Sequence, residues 1–221
     1  MGRRSVKRRQ QRATGLVWII MRKLSKALIH LSRSDSIMEK LISRFGPLEF
    51  HPHQQDLFAE IADSIISQQL SGKVARVIYS RFEALFPGKK VDPEFALSID
   101  GGKIRAIGAS WAKVKYIKDL AKKTLDGTLK LHLLKNMQDE EIIEHLVQVK
   151  GIGPWTAQMI LMFSLGRTDV LPLNDLGIQK AFEKLYAVKR DNQKKMIKIS
   201  EAWKPYRTIA CRYLWKSLDN E

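Results

Sequence analysis

Apolar residues recur at helical spacing along most of this 221-residue chain. Leu57, Ile61 and Ile65 fall four residues apart, and residues 74–85 continue the pattern until Pro87 stops it. Such intervals place apolar side chains on one face of an α-helix, whereas a half-buried strand would alternate every second residue. Because no segment alternates convincingly, the sequence predicts an all-α fold.

Local signals also predict where some helices begin and end. Ser110 is a plausible N-cap for a helix from Trp111 to about Leu125, which Gly127 would end. The pair Gly101-Gly102 is expected to break the helical pattern before it, and a further helix is predicted from Trp155 to Leu165.

Positive charge is concentrated near the N-terminus. The chain has 39 Lys and Arg against 23 Asp and Glu, a formal net charge of +16, and residues 1–34 hold ten of the basic residues and no acid. Such an excess favours a polyanionic partner, of which nucleic acid is the commonest and an anionic membrane the alternative. The apolar run at residues 16–21 is far shorter than the roughly 20 residues that span a bilayer, so we expect no membrane segment. We expect residues 1–22 to be a basic, disordered extension and residues 23–221 to form the folded domain.

The single cysteine, Cys211, limits the redox and metal chemistry open to the chain. One thiol excludes an internal disulfide, a cysteine-rich zinc site and an iron–sulfur cluster held by the chain's own cysteines. The five histidines show no metal-ligand spacing with any carboxylate cluster. We therefore expect a buried structural thiol, no metal site and a reducing, intracellular compartment.

A glycine-rich segment, KGIGPWTA at residues 150–157, is the most specific feature of the sequence. Gly151 and Gly153 permit backbone angles closed to other residues and let the main chain approach a ligand closely. Pro154 suits the first position of a helix, where a missing N–H is no loss. Free backbone N–H groups at a helix N-terminus form an anion site, to which Lys150 would add charge. The alternative is an ordinary glycine-rich turn between two helices.

A loop about twenty residues later ends in Asn174-Asp175 and opens another helix. Taken alone, either residue is a typical helix N-cap. A helix N-terminus also favours negative charge, so we expect Asp175 to be ionised at neutral pH. An ionised carboxylate can stabilise a developing positive charge or orient a water. These residues alone leave the capping and the chemical interpretations open.

The glycine-rich segment resembles the helix-hairpin-helix motif of the DNA glycosylase superfamily, and Asp175 matches the position of that superfamily's essential aspartate. Three further matches resemble the 3-methyladenine DNA glycosylase II family, the alkylpurine glycosylases. They are Trp155, the segment IISQQLSGKVA at residues 65–75, and WKPYRT at residues 203–208 with YLW at residues 213–215. The resemblance covers nearly the whole chain outside the basic extension. It implies two helical lobes with the active site in the cleft between them.

The resemblance also implies roles for individual residues. Asp175 would be the catalytic carboxylate. The base pocket would be formed by Trp155, Met159 and Trp215. The DNA-binding residues would be Gln68, Gln69, Ser71, Lys150, Gly151, Gly153 and Thr156. Gln69 would fill the gap that an extruded nucleotide leaves in the duplex. The alternatives are a plain interhelical turn for Gln69 and core packing for the tryptophans.

Cofactor use and reaction type also follow from the resemblance. We expect no cofactor, although the family's hairpin can hold a monovalent cation through backbone carbonyls, here of Val149 and Ile152. Branches that also cut the DNA backbone use a lysine as a Schiff-base nucleophile in the slot that Trp155 occupies. Because an indole cannot form an imine, the resemblance implies hydrolysis without lyase activity. Asn174 departs from the acidic residue that the family often carries there, and Met159 from an aromatic residue of some relatives.

We therefore expect a monomeric, monofunctional glycosylase that acts on damaged double-stranded DNA by base flipping, the first step of base excision repair. Its substrates would be cationic alkylated purines such as 3-methyladenine and 7-methylguanine, which aromatic walls suit. Two alternatives remain open: a non-catalytic DNA-binding protein, and a glycosylase of the same superfamily for oxidised or mismatched bases. A solvated basic face, rather than a DNA contact, is favoured for Lys113, Lys115 and Lys118. A structural role is predicted for Trp18, Trp111 and Trp203.

Overall fold

The computed structural model describes residues 25–49 and 56–219 of the chain. Residues 1–24, which include the predicted basic extension and Trp18, lie outside the described residues. The described residues belong to two compact units, a terminal unit of residues 25–49 and 167–219 and a middle unit of residues 56–166. No strand occurs in these ranges. The predictions of an all-α fold and of two helical lobes are thus confirmed.

Twelve α-helical segments occur in the described part of the chain. The terminal unit contributes α1 (residues 25–34) and α2 (Ser36–Phe45), and later α10 (Leu176–Tyr186), α11 (Gln193–Ser200) and α12 (Arg207–Lys216). The middle unit contributes α3 (Leu57–Ser67), α4 (Gly72–Glu83), α5 (Pro93–Ser98), α6 (Gly101–Ala106), α7 (Trp111–Leu125), α8 (Asp139–Leu146) and α9 (Pro154–Met159). Short 3₁₀ turns lie at Pro87–Lys89, Leu131–Asn136 and Glu201–Trp203, and a π-helical turn at Ile160–Ser164 continues α9.

Helix α7 packs against α3, α5 and α6 and follows directly from its sequence signals. Ser110 caps it by accepting a hydrogen bond from the Lys113 amide at 3.2 Å, and Gly127 lies just past its end with φ +78°. These features begin and end a helix as expected. Its buried residues are Val114, Ile117, Leu120 and Ala121. The predicted bounds, from Trp111 to about Leu125, are confirmed.

The segment before α7 differs from the prediction. The glycine pair at residues 101–102 is interpreted in the sequence as a break, yet helix α6 begins there. Asp100 caps α6 by accepting the Lys103 amide at 3.3 Å, and Asp92 caps α5 in the same way. An aspartate cap contributes about 1 kcal/mol, which offsets the similar cost of a helical glycine.

Asp35 organises the core of the terminal unit. Its Oδ2 accepts hydrogen bonds from the indole of Trp203 at 2.8 Å and from the hydroxyl of Tyr186 at 2.9 Å. Its Oδ1 caps α2 by accepting the Ile37 amide at 2.8 Å. Trp203 is fully buried and stacks on Phe182, with ring centroids 5.4 Å apart. The structural role predicted for Trp203 is confirmed.

Two further expectations have opposite outcomes. Cys211 is completely buried in α12, and this burial raises the pKa of its thiol, so the prediction of a buried structural thiol is confirmed. Trp111, by contrast, is 57% exposed at the first position of α7 and is no core residue, so the structural role predicted for it is wrong.

Among the helices of the described ranges, none has both the length and the apolar character that crossing a bilayer requires.

Candidate functional site

The hairpin between α8 and α9 is shaped by Gly151. Val149 and Ile152, the apolar residues on either side of it, are both buried. Gly151 adopts φ +83°, and a Cβ at this position would lie 2.1 Å from Cδ2 of Tyr116 in α7. The backbone angle and the tyrosine ring therefore each require a glycine here.

Helix α9 begins without a side-chain cap, because its N-cap residue is Gly153. The amides of Gly151 and Gly153 make no hydrogen bond to another described residue, and both glycines are exposed. A Cβ built on Gly153 would meet nothing within 4 Å. Exposed N–H groups at the start of a helix are suited to bind an anion. The geometry of this helix start supports the predicted phosphate contact.

One hairpin amide is already committed to the protein. The Lys150 N–H donates to Oδ2 of Asp119 in α7 at 2.8 Å, and Lys123 Nζ donates to the same oxygen at 2.6 Å. Burial alone raises the pKa of the Asp119 carboxyl, but these hydrogen bonds and the two positive charges outweigh it and hold this pKa below its ordinary value. The Lys150 amide is therefore bonded within the protein, whereas the Lys150 side chain is exposed to solvent.

The turn between α3 and α4 gives its two glutamines different roles. Gln68 is half-buried, and its Nε2 donates to the carbonyl oxygen of Gly151 at 2.8 Å, which joins this turn to the hairpin. Gln69 is exposed and has φ +57°, a left-handed conformation that costs a non-glycine residue about 1 kcal/mol. Ser71 is the exposed N-cap of α4, but its hydroxyl makes no capping bond.

Residues from both turns line one cavity of about 510 Å³ in the middle unit. The sequence separates these residues by more than 80 positions, yet the structure brings together Gln68, Gln69, Gly151, Trp155, Thr156 and Met159. Trp155 is 44% exposed, which is unusual for a large aromatic side chain and leaves part of its surface open to a ligand. Ser71, Lys150 and Gly153 do not line this cavity.

Sequence reasoning missed Phe163 and Ser164, which line a neighbouring cavity that shares Met159 with the first. They lie on the π-helical turn after Met159, whose wider ring is closed by the Leu165 amide donating to the Ile160 carbonyl at 2.9 Å. With Met159 they line a second, larger cavity of about 700 Å³ between α3, α4 and the π turn. A π turn inside a helix often marks a functional site, but the sequence predicted an uninterrupted helix from Trp155 to Leu165.

The three lysines of α7 differ from the predicted solvated face. Lys113 Nζ donates to the carbonyl oxygens of Ile66 and Gln68, both at 2.7 Å. Lys118 Nζ binds two carbonyls at the end of α5 in the same manner. Burial lowers the pKa of both ammonium groups. Lys115 alone is exposed, so the prediction is wrong for Lys113 and Lys118, which cap helices instead.

In the terminal unit, Asp175 caps α10 and is held by Trp215. Its Oδ1 accepts hydrogen bonds from the Ile178 amide and from the Trp215 indole, both at 2.8 Å. A Cβ on Gly177 would lie 2.8 Å from Cδ1 of Trp215 and 3.0 Å from that same Oδ1. The capping interpretation of Asp175 is therefore confirmed. It does not exclude a chemical role, since a carboxylate can accept about four hydrogen bonds.

Asn174, where the resembled family often carries an acid, is exposed next to Asp175. Its Oδ1 accepts a hydrogen bond from Nε2 of Gln193, the first residue of α11, at 2.8 Å. A carboxylate oxygen at this position could accept the same bond. The departure from the family pattern is therefore tolerated locally and leaves the cap of α10 unchanged.

Comparisons with known proteins agree on one family. A model described as "HhH-GPD superfamily base excision DNA repair protein" matches residues 62–205. DNA-3-methyladenine glycosylase 1 of Schizosaccharomyces pombe is 35% identical over 205 residues, covering 90% of this chain and 89% of that protein.

Solved structures agree with the sequence comparison. The 3-methyladenine DNA glycosylase (Mag1) of Schizosaccharomyces pombe, in complex with abasic DNA, is similar with a TM-score of 0.77 and 34% identity, covering 87% of this chain and 96% of that one. A DNA-3-methyladenine glycosidase of Bacillus halodurans has a TM-score of 0.78 and 35% identity, covering 88% and 89%. This chain belongs to the HhH-GPD superfamily of base excision DNA repair proteins.

Proposed function

We propose that this chain is a DNA glycosylase that hydrolyses the N-glycosidic bond of alkylated purines in duplex DNA. The observation that carries the proposal is the fixed carboxylate of Asp175, which has two donors on one oxygen at the start of α10. The relatives named 3-methyladenine glycosylases support alkylated purines as the substrate class.

Asp175 would act on the deoxyribose. Cleavage of the bond between C1′ and the base develops positive charge on the sugar, as in glycoside hydrolysis. A carboxylate held in place beforehand stabilises this charge without reorganising, and it can also orient the attacking water. The water oxygen bonds to C1′, its proton is released, and a cationic alkylpurine leaves as a neutral base. Trp215 would keep the carboxylate in the orientation that this reaction needs.

The hairpin would hold the DNA backbone. The exposed amides of Gly151 and Gly153 provide donors for a phosphate, and the absence of a Cβ at Gly153 lets the main chain approach it. Contacts of this kind position a protein on DNA without reading its sequence. The exposed Lys150 ammonium would add a charge contact that weakens as salt rises.

Base extrusion and base recognition would both use the cavity of the middle unit. Gln69, exposed at the tip of its turn, would enter the gap that the flipped nucleotide leaves, with Ser71 beside it. The partly exposed face of Trp155 would receive the extruded base, with Met159 alongside. A cationic purine gains about 0.5–2 kcal/mol from an aromatic face, which favours alkylated over neutral bases.

We further propose that the reaction is purely hydrolytic, as in the 3-methyladenine glycosylase II subclass. Trp155 occupies the slot where lyase branches carry lysine, and an indole cannot form a Schiff base. We also propose that the chain acts on its DNA as a monomer inside the cell.

A monovalent cation would fit the hairpin. The Val149 carbonyl already accepts the Ile152 amide at 3.0 Å, but a carbonyl oxygen has a second lone pair. The carbonyls of Val149 and Ile152 would hold the cation, whose positive charge would strengthen phosphate binding.

The test uses the wild-type chain with three duplexes that are methylated, oxidised or undamaged. We expect release of 3-methyladenine or 7-methylguanine from the methylated duplex, with strand cuts only after alkali and no protein–DNA adduct under borohydride. Release from oxidised DNA alone would contradict the proposed substrate class. Strand cuts without alkali, or a borohydride-trapped adduct, would contradict the hydrolytic reaction. Binding without any base release would indicate a non-catalytic DNA-binding protein.

A further inference from the structure

Helix α3 ends at the turn that carries Gln68 and Gln69, and its own last turn contains no basic residue. The final carbonyls of a helix need donors from elsewhere, and a cation is favourable at this end. Lys113 from α7 provides both, since its Nζ lies 2.7 Å from the Ile66 carbonyl oxygen and 2.7 Å from that of Gln68. The second contact lies beyond the helix, on the peptide that joins Gln68 to Gln69.

This second contact bears on Gln69 directly. The Gln68–Gln69 peptide plane is fixed by Lys113 on one side, while the Gln69 backbone takes up the left-handed φ of +57° on the other. A non-glycine residue keeps such a conformation only where its surroundings impose it. Of the described contacts, the Lys113 ammonium is the side-chain donor that reaches this peptide.

The same face of α7 also holds the hairpin. Tyr116, three residues after Lys113, packs on Gly151 so closely that no Cβ would fit. Asp119 accepts the Lys150 amide at 2.8 Å, and Lys123 donates to the Gln148 carbonyl at 2.7 Å. Residues spaced by three and four positions lie along one face of a helix. A single rigid helix thus contacts both turns.

The two turns are also joined to each other. Gln68 Nε2 donates to the Gly151 carbonyl at 2.8 Å, and this bond closes a loop of contacts through Lys113, α7 and the hairpin. We propose that Lys113 is a positioning residue that keeps the Gln69 turn in register with the hairpin, so that its ammonium is needed for nucleotide extrusion rather than for DNA binding. This inference rests on the proposed glycosylase function.

The test compares Lys113→Met with Lys115→Met. Each change removes one positive charge and keeps a straight side chain, but Lys115 is exposed on α7. Flipping is followed by the fluorescence of 2-aminopurine next to the lesion, and base release by single-turnover rates at saturating DNA. We expect Lys113→Met to reduce both the flipping signal and the rate of base release by about tenfold relative to Lys115→Met. The affinities of the two variants for undamaged duplex should be equal within about twofold. Lys113→Arg should recover most of the loss.

The base opposite the lesion separates positioning from general damage to the fold. Opposite an abasic site the lesion is unpaired and extrusion is easier. The defect of Lys113→Met should therefore shrink on that duplex, whereas a partly unfolded variant would be equally slow on both. A defect that is the same on both duplexes, or no larger than that of Lys115→Met, would overturn the inference. If the wild type released no base, the proposed glycosylase function would fail. The role of Lys113 would then be judged from 2-aminopurine fluorescence alone, and equal signals in Lys113→Met and Lys115→Met would refute it.

Discussion

Two helix starts in this molecule carry opposite arrangements. Helix α10 is closed by Asp175, whose Oδ1 accepts the Ile178 amide, so the protein supplies its own anion there. Helix α9 follows Gly153 and has no side-chain cap, so its exposed start is left for an anion from outside. We propose that the first start positions a reacting carboxylate, while the second is open to a DNA phosphate.

The other helices of the middle unit sharpen this contrast. In the described residues 56–166, side chains satisfy the starts of α3, α5, α6, α7 and α8. Helices α4 and α9 have no side-chain hydrogen bond at their start, although Ser71 at the start of α4 is a residue type that caps well. These two starts follow the two turns that line the cavity of Trp155. A missing cap therefore coincides with the predicted DNA contacts.

The largest expected effect comes from Asp175→Asn. Asparagine caps a helix as well as aspartate and can accept the Trp215 indole, so these two hydrogen bonds can remain while the negative charge is lost. We expect base release to slow by about 100- to 1,000-fold, the size typical for losing a preorganised electrostatic group. Thermal unfolding should change little. A single-turnover assay on methylated duplex measures the rate, and a variant within tenfold of the wild type would contradict the role of the carboxylate.

Gly151→Ala should cost about 2–3 kcal/mol of unfolding free energy, because it combines a left-handed φ with a Cβ lying 2.1 Å from Tyr116. Gly153→Ala is the matched control, since its φ is −93° and its Cβ would lie in open space. Urea unfolding of both variants measures the difference. Equal stability of the two would show that Tyr116 does not hold the hairpin.

Trp215→Phe tests whether the indole does more than pack. Phenylalanine keeps an aromatic ring but removes the N–H that donates to Asp175 Oδ1 at 2.8 Å. Loss of one bond to a charged group, about 1.5 kcal/mol, corresponds to roughly a tenfold slower base release. Trp203→Phe serves as a control for general packing, because its indole bonds Asp35 instead. A wild-type rate in Trp215→Phe would contradict the proposed role of this hydrogen bond in orienting Asp175.

The smallest effect concerns Asp119, whose carboxylate holds the Lys150 amide. The pKa of Asp119 in the folded protein lies below the ordinary 3.8. The ionised carboxylate therefore stabilises the fold above about pH 4, and this contribution is lost as the pH falls through the folded pKa. Asp119→Asn should therefore be destabilised by about 1 kcal/mol at pH 7, with the difference from the wild type narrowing as pH falls below 3.8. Urea midpoints across this range measure it, with the exposed Asp191→Asn as control. A difference independent of pH would contradict the carboxylate's role.

Local signals were enough to predict much of the fold. The cap at Ser110 and the stop at Gly127 bound α7 correctly, and Asp175 opens α10 as its residue type indicates. The same reasoning failed at Gly101, where the aspartate cap before it offsets the cost of a helical glycine. It also missed the π turn at Ile160–Ser164, because a widened helical turn leaves the apolar spacing almost unchanged.

The candidate site shows where local reasoning ends. Two separate motifs indicate Gln68 and Gly151 as DNA-binding residues, but only the fold shows that their turns are joined by a hydrogen bond. Lys113 is a more extreme case, since its partners lie 45 and 47 residues away and nothing in its own neighbourhood distinguishes it from Lys115. Contacts between distant segments leave no periodic pattern in the sequence. For this reason the sequence predicts the same solvated face for Lys113 and Lys115.

The most direct test compares, in one experiment, a variant at the start of α9 with a variant at the start of α10. The affinity for an abasic duplex and the single-turnover rate of 3-methyladenine release at saturating DNA are measured for Gly153→Ala and Asp175→Asn. Gly153→Ala should bind several-fold more weakly and react at nearly the wild-type rate, whereas Asp175→Asn should bind normally and lose at least about 100-fold in rate. If both variants lost affinity and rate together, or if Asp175→Asn stayed active, the division between a phosphate-binding start and a catalytic one would be wrong.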